Sequence, residues 1–471
     1  MNYELLYALL RSDFYTFVER VFREVAAGEV FTHNWHIEAI CHVLSEIERG
    51  ERRRQIIEVP PRSLKSIIAS VALPAWRLGH DPTAKIMCVS YSQNLADRLA
   101  AMCRQVMKSS WYAEAFPATR ISPTKDTESY FRTTAGGYRD ATSIGGTLTG
   151  KGAAIIILDD PAKPDEMMSQ AQREAVNRWY DQTLVSRLNN KATDAIVLVM
   201  QRLHLDDLAG HVRQSGKWET LTLPAIGTGD AAIPLGHGRV HQRFRGDLMD
   251  PVREPMDVLM QLKQTMGSYA FSAQYQQQPV PPDSSIVEWD WFIRVPAPPS
   301  SFTVVQSWDC AAKAEEFSDY TVCTTWGIDR RKVYLLDVFR KKLTFPELYH
   351  AVCQRAYEWQ PKELLIEDSS AGTAVIQQLR WDRPMKIPQP KRITPVKDKQ
   401  TRLHVVSAII ERGQVHLPER APWLEAFREE LVQFPYGRHD DQVDSMTQFL
   451  AWFDKKNHSG CVAERRSMFF D

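Results

Sequence analysis

The sequence predicts an α/β protein of two lobes, each built round a sheet with helices packed on it. Three observations predict this. Short apolar runs, among them KIMCVS at 85–90, AIIIL at 154–158 and AIVLVM at 195–200, alternate with stretches of helical spacing, the pattern of a mostly parallel, helix-covered sheet. The first and last of these continue into polar residues, and the middle one ends in two carboxylates. After a Pro-rich stretch at 279–301, where helices and central strands are disfavoured, a second strand and helix pattern begins. The 471 residues suffice for two or three domains with full cores, and 44% hydrophobic with 25% charged residues is an ordinary globular composition.

Formal net charge is zero, so binding to nucleic acid has to come from local basic patches and not from a global field. The seven cysteines include no CxxC pair, which argues against a disulfide framework or a structural zinc site and suits a reducing cytoplasm. The opening MNYELLYALLRSDFYTF is broken by Glu4, Arg11 and Asp13, so it reads as neither a signal peptide nor a membrane span. An intracellular protein with no membrane partner is expected.

Residues 1–50 have helical spacing in Leu5, Leu9, Phe14 and Phe17 and again from His36 to Ile47. Trp35 and His36 read as core or cap residues, with an adenine contact as the functional alternative. The stretch IIEVPPRSLKS at 56–66 then runs from a short strand through a Pro-Pro turn to Lys65-Ser66 and a helical IIASVALPAW. Strand, tight loop, Lys-Ser and helix is the order of a phosphate-binding loop, in which backbone N–H groups hold phosphates, the lysine neutralises charge and the hydroxyl ligates Mg²⁺. A standard loop has Gly where Val59 and Leu64 stand, and Leu64 does not take positive φ cheaply.

A strand at 85–90 and a helix at 94–108 follow, and SIGGTLTGKG at 143–152 is a Gly/Thr-rich loop whose Lys151 is within reach of DNA or nucleotide. The run at 154–158 is too continuous for a half-exposed strand, so it is a central strand, and it ends in Asp159-Asp160. Ligands of open α/β sheets bind outside the carboxyl ends of the strands, which puts both carboxylates where a nucleotide and its metal would sit. Residues 165–188 are helical, and the strand at 195–200 ends in Gln201, the candidate sensor of the γ-phosphate.

Beyond 301, strands at 304–308, 321–328 and 332–339 precede a helix at 345–359 and a strand at 363–366. Helices are expected at 374–380, 400–412 and 423–434, and a last one after HDDQVDS. Three strands, a helix, a strand ending in acid and then helices is the order of a ribonuclease H-like domain. Acid stands at the tips of two separate strands, as Asp309 and as Glu367-Asp368, and again as Asp440, Asp441 and Asp444. A single Asp at a helix start is explained by capping, but gathered carboxylates repel and need a cation. Such domains bind two divalent metals that activate water and stabilise the leaving oxygen.

With these residues in view, the chain resembles the large terminase subunit of tailed bacteriophages and prophages. VPPRSLKS is similar to that family's variant phosphate loop, TLTGKGAAIIILDDP to its second nucleotide motif, VLVMQRLHLDDLAG to its coupling segment and GSYAFSAQYQQQPVP to the end of its ATPase domain. QSWDCAAK, LLIEDSSAG and GRHDDQVDS resemble its three nuclease motifs. The resemblance implies a P-loop ATPase over 1–278, a Pro-rich linker over 279–301, a ribonuclease H-like nuclease over 302–455 and a tail over 456–471.

It further implies nucleotide contacts at Arg62, Ser63, Lys65, Ser66, Asp159 and Gln201. Ser66 and Asp159 would hold Mg²⁺, Asp160 would orient the attacking water and Arg62 would stabilise developing charge. Asp309, Glu367 and Asp441 match the nuclease ligands of two Mg²⁺ or Mn²⁺ ions, with Asp440 and Asp444 as further candidates. The implied activity is ATP-driven translocation of double-stranded DNA into a capsid with metal-dependent cleavage, in the cytoplasm of an infected bacterium. The implied partners are a portal protein, a small terminase subunit and further copies in a ring, the solution state being a monomer or that ring. The competing readings are a helicase-like repair ATPase and a degenerate prophage protein that only binds DNA or capsid.

Overall fold

The structure, a computed structural model, describes residues 3–467 except Thr147, Thr149, Asp165, 281–285, 312–319, Val396, Tyr436 and Arg438. The chain divides into two compact units, Met1–Lys263 with Ser268–Val280, and Gln264–Gly267 with Pro281–Asp471. No helix among the described residues is long and apolar enough to cross a membrane.

The first unit holds strands β1 (Arg54–Glu58), β2 (Lys85–Ser90), β3 (Ile121–Asp126), β4 (Tyr130–Thr133), β5 (Tyr138–Ser143), β6 (Ile155–Asp159), β7 (Ala195–Met200) and β8 (Glu219–Thr222). Their order in the sheet is β3-β4-β5-β2-β6-β7-β1-β8. The run from β5 to β8 is parallel, and β3 and β4 add an antiparallel edge. A separate hairpin is formed by β9 (Ala231–Gly236) and β10 (Arg239–Arg243).

Alternate residues of the central strands enter two cores. Ile57, Ile86, Ile157 and Val197 face one, and Ile56, Met87, Ile156 and Leu198 face the other. Both faces are therefore covered, which is why these strands read as unbroken apolar runs. The edge formed by β3 to β5 had no such signature, because β5 buries Arg139, Asp140 and Thr142 in place of aliphatic side chains.

The second unit holds β11 (Ile293–Val295), β12 (Thr303–Asp309), β13 (Thr321–Asp329), β14 (Lys332–Lys341), β15 (Glu363–Glu367), β16 (Lys391–Ile393) and β17 (Val415–Pro418), in the order β11-β17-β14-β13-β12-β15-β16. The three strands, helix and further strand expected from sequence are present, and the structure adds their pairing, with β12 to β14 antiparallel and β15 parallel beside β12. The expected linker needs correction. Its first half includes 281–285, outside the described residues, but β11 pairs with β17, and Val287 and Phe292 are buried in the core of this unit. Proline restricts a segment without preventing a short edge strand, and β11 has a neighbour only at β17.

Candidate active sites

In the first unit β1 ends at Glu58 and the chain turns through Val59–Leu64 into a helix, with Arg62 and Leu64 at φ 61° and 62°. Leu64 thus adopts the left-handed conformation that the sequence reading reserved for Gly. Its side chain packs on the adjoining core, which offsets part of the strain. The buried Ser63 hydroxyl donates to the Pro60 carbonyl at 2.8 Å and ties the turn together.

At the tip of β6 the two aspartates have different partners. Asp159 is fully buried and accepts hydroxyl hydrogen bonds from Ser66 at 2.9 Å on Oδ1 and from Ser70 at 2.7 Å on Oδ2. Burial, and then the charge of Asp160, push its carboxyl up to about 6 against the pull of Ser70, Lys65 and Ser66. Asp160, at φ 44°, pairs with the buried Lys65 ammonium at 3.1 Å and accepts from the Gln201 backbone N–H at 3.3 Å. Lys65, Ser66, Asp159, Asp160 and Gln201 therefore meet at the carboxyl ends of adjacent parallel strands. The contact made by Arg62 is through its carbonyl, which accepts from Arg253, while its own side chain is exposed.

His36 is buried beside the Ser63 backbone, and burial lowers its pKa to about 4, so it is a core residue as read from sequence. Trp35 stacks on His241 with centroids 4.3 Å apart, and the Arg243 guanidinium lies 5.1 Å from its ring centre. Trp35, His241, Met249 and Val252 line a cavity of about 510 Å³. Lys151 bonds Asp140 at 2.7 Å and lies over the Tyr130 ring.

Sequence reasoning passed over Arg202, one residue beyond Gln201. Its buried guanidinium donates to Asp207 at 2.9 Å, to Glu58 at 3.3 Å and to the carbonyls of His204 and Leu205. Its backbone N–H donates to Gln277 at 2.9 Å, and Glu58 also accepts from Arg213 at 2.6 Å and Thr222 at 2.7 Å. A charged side chain two residues past a buried strand, with acids five residues on and at the end of β1, was the available signal.

In the second unit Asp309 ends β12, Glu367 ends β15, and Asp441 opens the helix Asp441–Ser467 that carries Asp444. A buried polar network sets that helix against the sheet. Ser445 Oγ donates to the Ser307 carbonyl, Ser307 Oγ to the Ser445 carbonyl, both at 2.8 Å, and Gln448 donates to Ser307 at 2.9 Å. Glu430 accepts from the Gln442 and Val443 backbone N–H groups at the helix start. These contacts bring the acids together. Asp309 is raised well above the usual carboxylate range, first by burial and then by the charges of Glu367, Asp444 and Asp441.

The carboxylates are bridged by two cations that the sequence reading did not single out. On the helix Lys399–Glu411, Lys399 bonds Asp440 at 2.6 Å and Asp444 at 2.8 Å, and Arg402 bonds Glu367 at 3.2 Å and Asp444 at 2.8 Å. As the side chains stand, no three His, Cys, Asp or Glu groups among the described residues form a metal-holding set. The donor chemistry nevertheless fits a hard divalent cation, since four carboxylates converge from β12, β15 and one helix. Asp368 is drawn away, accepting from Thr373 at 2.7 Å and Thr394 at 3.2 Å beside Arg392.

Fold and sites together define a mostly parallel α/β unit with Lys65, Ser66, Asp159 and Asp160 at its strand ends, followed by a ribonuclease H-like unit. Residues 306–452 match the family described as the terminase RNaseH-like domain. Among solved structures, a large terminase from a thermophilic bacteriophage is similar at 12% identity and a TM-score of 0.52, over 88% of this chain and 97% of that one. The same protein in complex with ATP-gamma-S gives 12% identity and 0.51, over 88% and 98%. The large terminase of bacteriophage HK97 gives 12% and 0.35, over 92% and 99%. No curated protein matches the chain in sequence. The second unit therefore carries a terminase ribonuclease H-like domain, and the chain as a whole has the fold of a large terminase subunit.

Proposed function

We propose that the protein is the large subunit of a phage terminase, which hydrolyses ATP to translocate double-stranded DNA into a capsid and cleaves that DNA with divalent metal. The observation that carries the reading is the occurrence in one chain of two sites, Lys65–Asp160 with Ser66–Asp159 and the carboxylates Asp309, Glu367, Asp441 and Asp444.

Lys65 neutralises the β/γ-phosphates, Ser66 and Asp159 hold Mg²⁺, Asp160 orients the attacking water, and Gln201 and Arg62 act at the γ-phosphate. The cavity beside Trp35 takes the base. In the second unit Asp309, Glu367 and Asp441 hold the nuclease metals, with Asp444 and Asp440 in support. Those ions supply a nucleophile at neutral pH and stabilise the leaving oxygen. The ATPase occupies 1–278, and the nuclease ends near 455. The partners are a portal protein, a small terminase subunit and other copies of the chain in a ring, in the host cytoplasm.

Two variants assayed for two activities test this. Lys65→Ala should abolish ATP hydrolysis and leave metal-dependent nicking of supercoiled plasmid, whereas Asp309→Ala should lose most nicking and keep ATP hydrolysis. If wild type cuts no DNA with Mg²⁺ or Mn²⁺, the nuclease half of the reading fails; if Lys65→Ala hydrolyses ATP normally, the ATPase half fails.

A further inference from the structure

We infer that Ser70 and Arg139 are positioning residues for the nucleotide's divalent cation, fixing the Asp159 carboxylate through a widened helical turn that Pro74 imposes. The inference rests on the nucleotide reading of this site. Pro74 has no N–H, so the Ser70 carbonyl four residues earlier lacks its α-helical donor. The helix responds with a π turn over Ile67–Ala72, in which the Leu73 N–H donates to the Ile68 carbonyl. Such turns are rare and concentrate at functional sites.

The Ser70 carbonyl is taken up across the core by Arg139 of β5, whose Nη2 donates to it at 2.9 Å. Arg139 is fully buried, and its Nε and Nη1 have no hydrogen-bond partner among the described residues. A buried guanidinium so sparsely bonded is a poor stabiliser, and an apolar residue of similar volume would serve packing as well. The one hydrogen bond that its guanidinium makes among the described residues falls on the residue whose hydroxyl holds Asp159. Ser70 is likewise fully buried, between Ala69 and Val71, and its hydroxyl bonds Asp159 Oδ2 while Ser66, one turn earlier on the same face, bonds Oδ1. Two hydroxyls on two oxygens fix the rotation of the carboxylate, and with Ser66 alone it would turn about its own axis.

The experiment measures binding of a fluorescent ADP derivative by the full chain as Mg²⁺ is varied, for wild type, Ser70→Ala, Arg139→Met and the double variant. Each single change should raise the Mg²⁺ concentration for half-maximal binding by about tenfold, the scale of one hydrogen bond to a charged group. Binding without Mg²⁺, which depends on the phosphate loop, should change less than about twofold by comparison. The double variant should be no worse than either single one, because both act on one carboxylate. Additive losses would overturn the inference, as would lower thermal stability with an unchanged Mg²⁺ requirement. Should Arg139→Met fail to fold, Ser70→Ala decides alone. Wild-type binding that ignores Mg²⁺ would sink the nucleotide reading itself, whereas a wild-type requirement that Ser70→Ala retains would sink only this inference.

Discussion

Leu64 is held at φ 62° where a glycine is usual, and a non-glycine residue there is strained by roughly 1–2 kcal/mol. Leu64→Gly should remove that strain and also its packing on the core, so stability should shift little while ATP turnover holds or rises. A calorimetric titration showing a large loss of nucleotide affinity would mean that the leucine itself shapes the loop. Histidine burial gives a second expectation. Burial lowers both His36 and His204 to about 4, so their neutral rings favour the fold above pH 6.5, and that contribution is lost as pH falls toward 4. By pH 5 the loss should reach about 2 kcal/mol for each. Melts of wild type and His36→Gln compared from pH 8 to 5 should show it as a difference, because the raised carboxyls of Asp159 and Asp309 contribute with the opposite sign. Lys399 and Arg402 show the limit of reading residues singly. Basic positions on a helix look like a solvated face until the fold brings Glu367, Asp440 and Asp444 to them.

At the scale of elements, legibility followed burial. β6 and β7 are apolar throughout because both of their faces are covered, and they were readable to within a residue. The register that puts Asp159 beside Ser90 and Val199 was not readable, since pairing depends on strands distant in sequence. β5 was missed because three of its five buried positions are polar, and β11 because proline-rich sequence masks a three-residue edge strand. This last miss has a measurable consequence. A fragment beginning at residue 302 loses β11 and the buried Val287 and Phe292, whereas one beginning at 281 keeps them. Burial of two such side chains is worth on the order of 3–6 kcal/mol, so the shorter fragment should melt well below the longer one. Equal melting temperatures would show that these contacts contribute nothing.

For the whole molecule, two compact units with separate cores predict two separately addressable thermal transitions. ATP-gamma-S with Mg²⁺ at about a hundred times its dissociation constant should stabilise the first unit by about 2.7 kcal/mol, a shift of roughly 5–10 °C for units of this size. Mn²⁺ alone should move the second transition, in exchange for the bridges made by Lys399 and Arg402. Lys65→Ala should erase the first shift and leave the second. One cooperative transition moved by either ligand would show that the units do not unfold independently. Net charge across the chain is zero, so salt should weaken DNA binding through a limited set of contacts and not through a general field.

The five donors of Arg202 act in one sealed cluster, and three parts of the first unit meet there: the root of the phosphate loop at Glu58, the strand end next to Gln201, and the departing chain at Gln277. A lysine offers one point charge where the fork reaches four different groups, so it is no substitute. Such a position records its neighbours in evolution. Across related sequences, residue 202 should change only where 58 and 207 change with it, and lineages that keep the arginine should keep both acids.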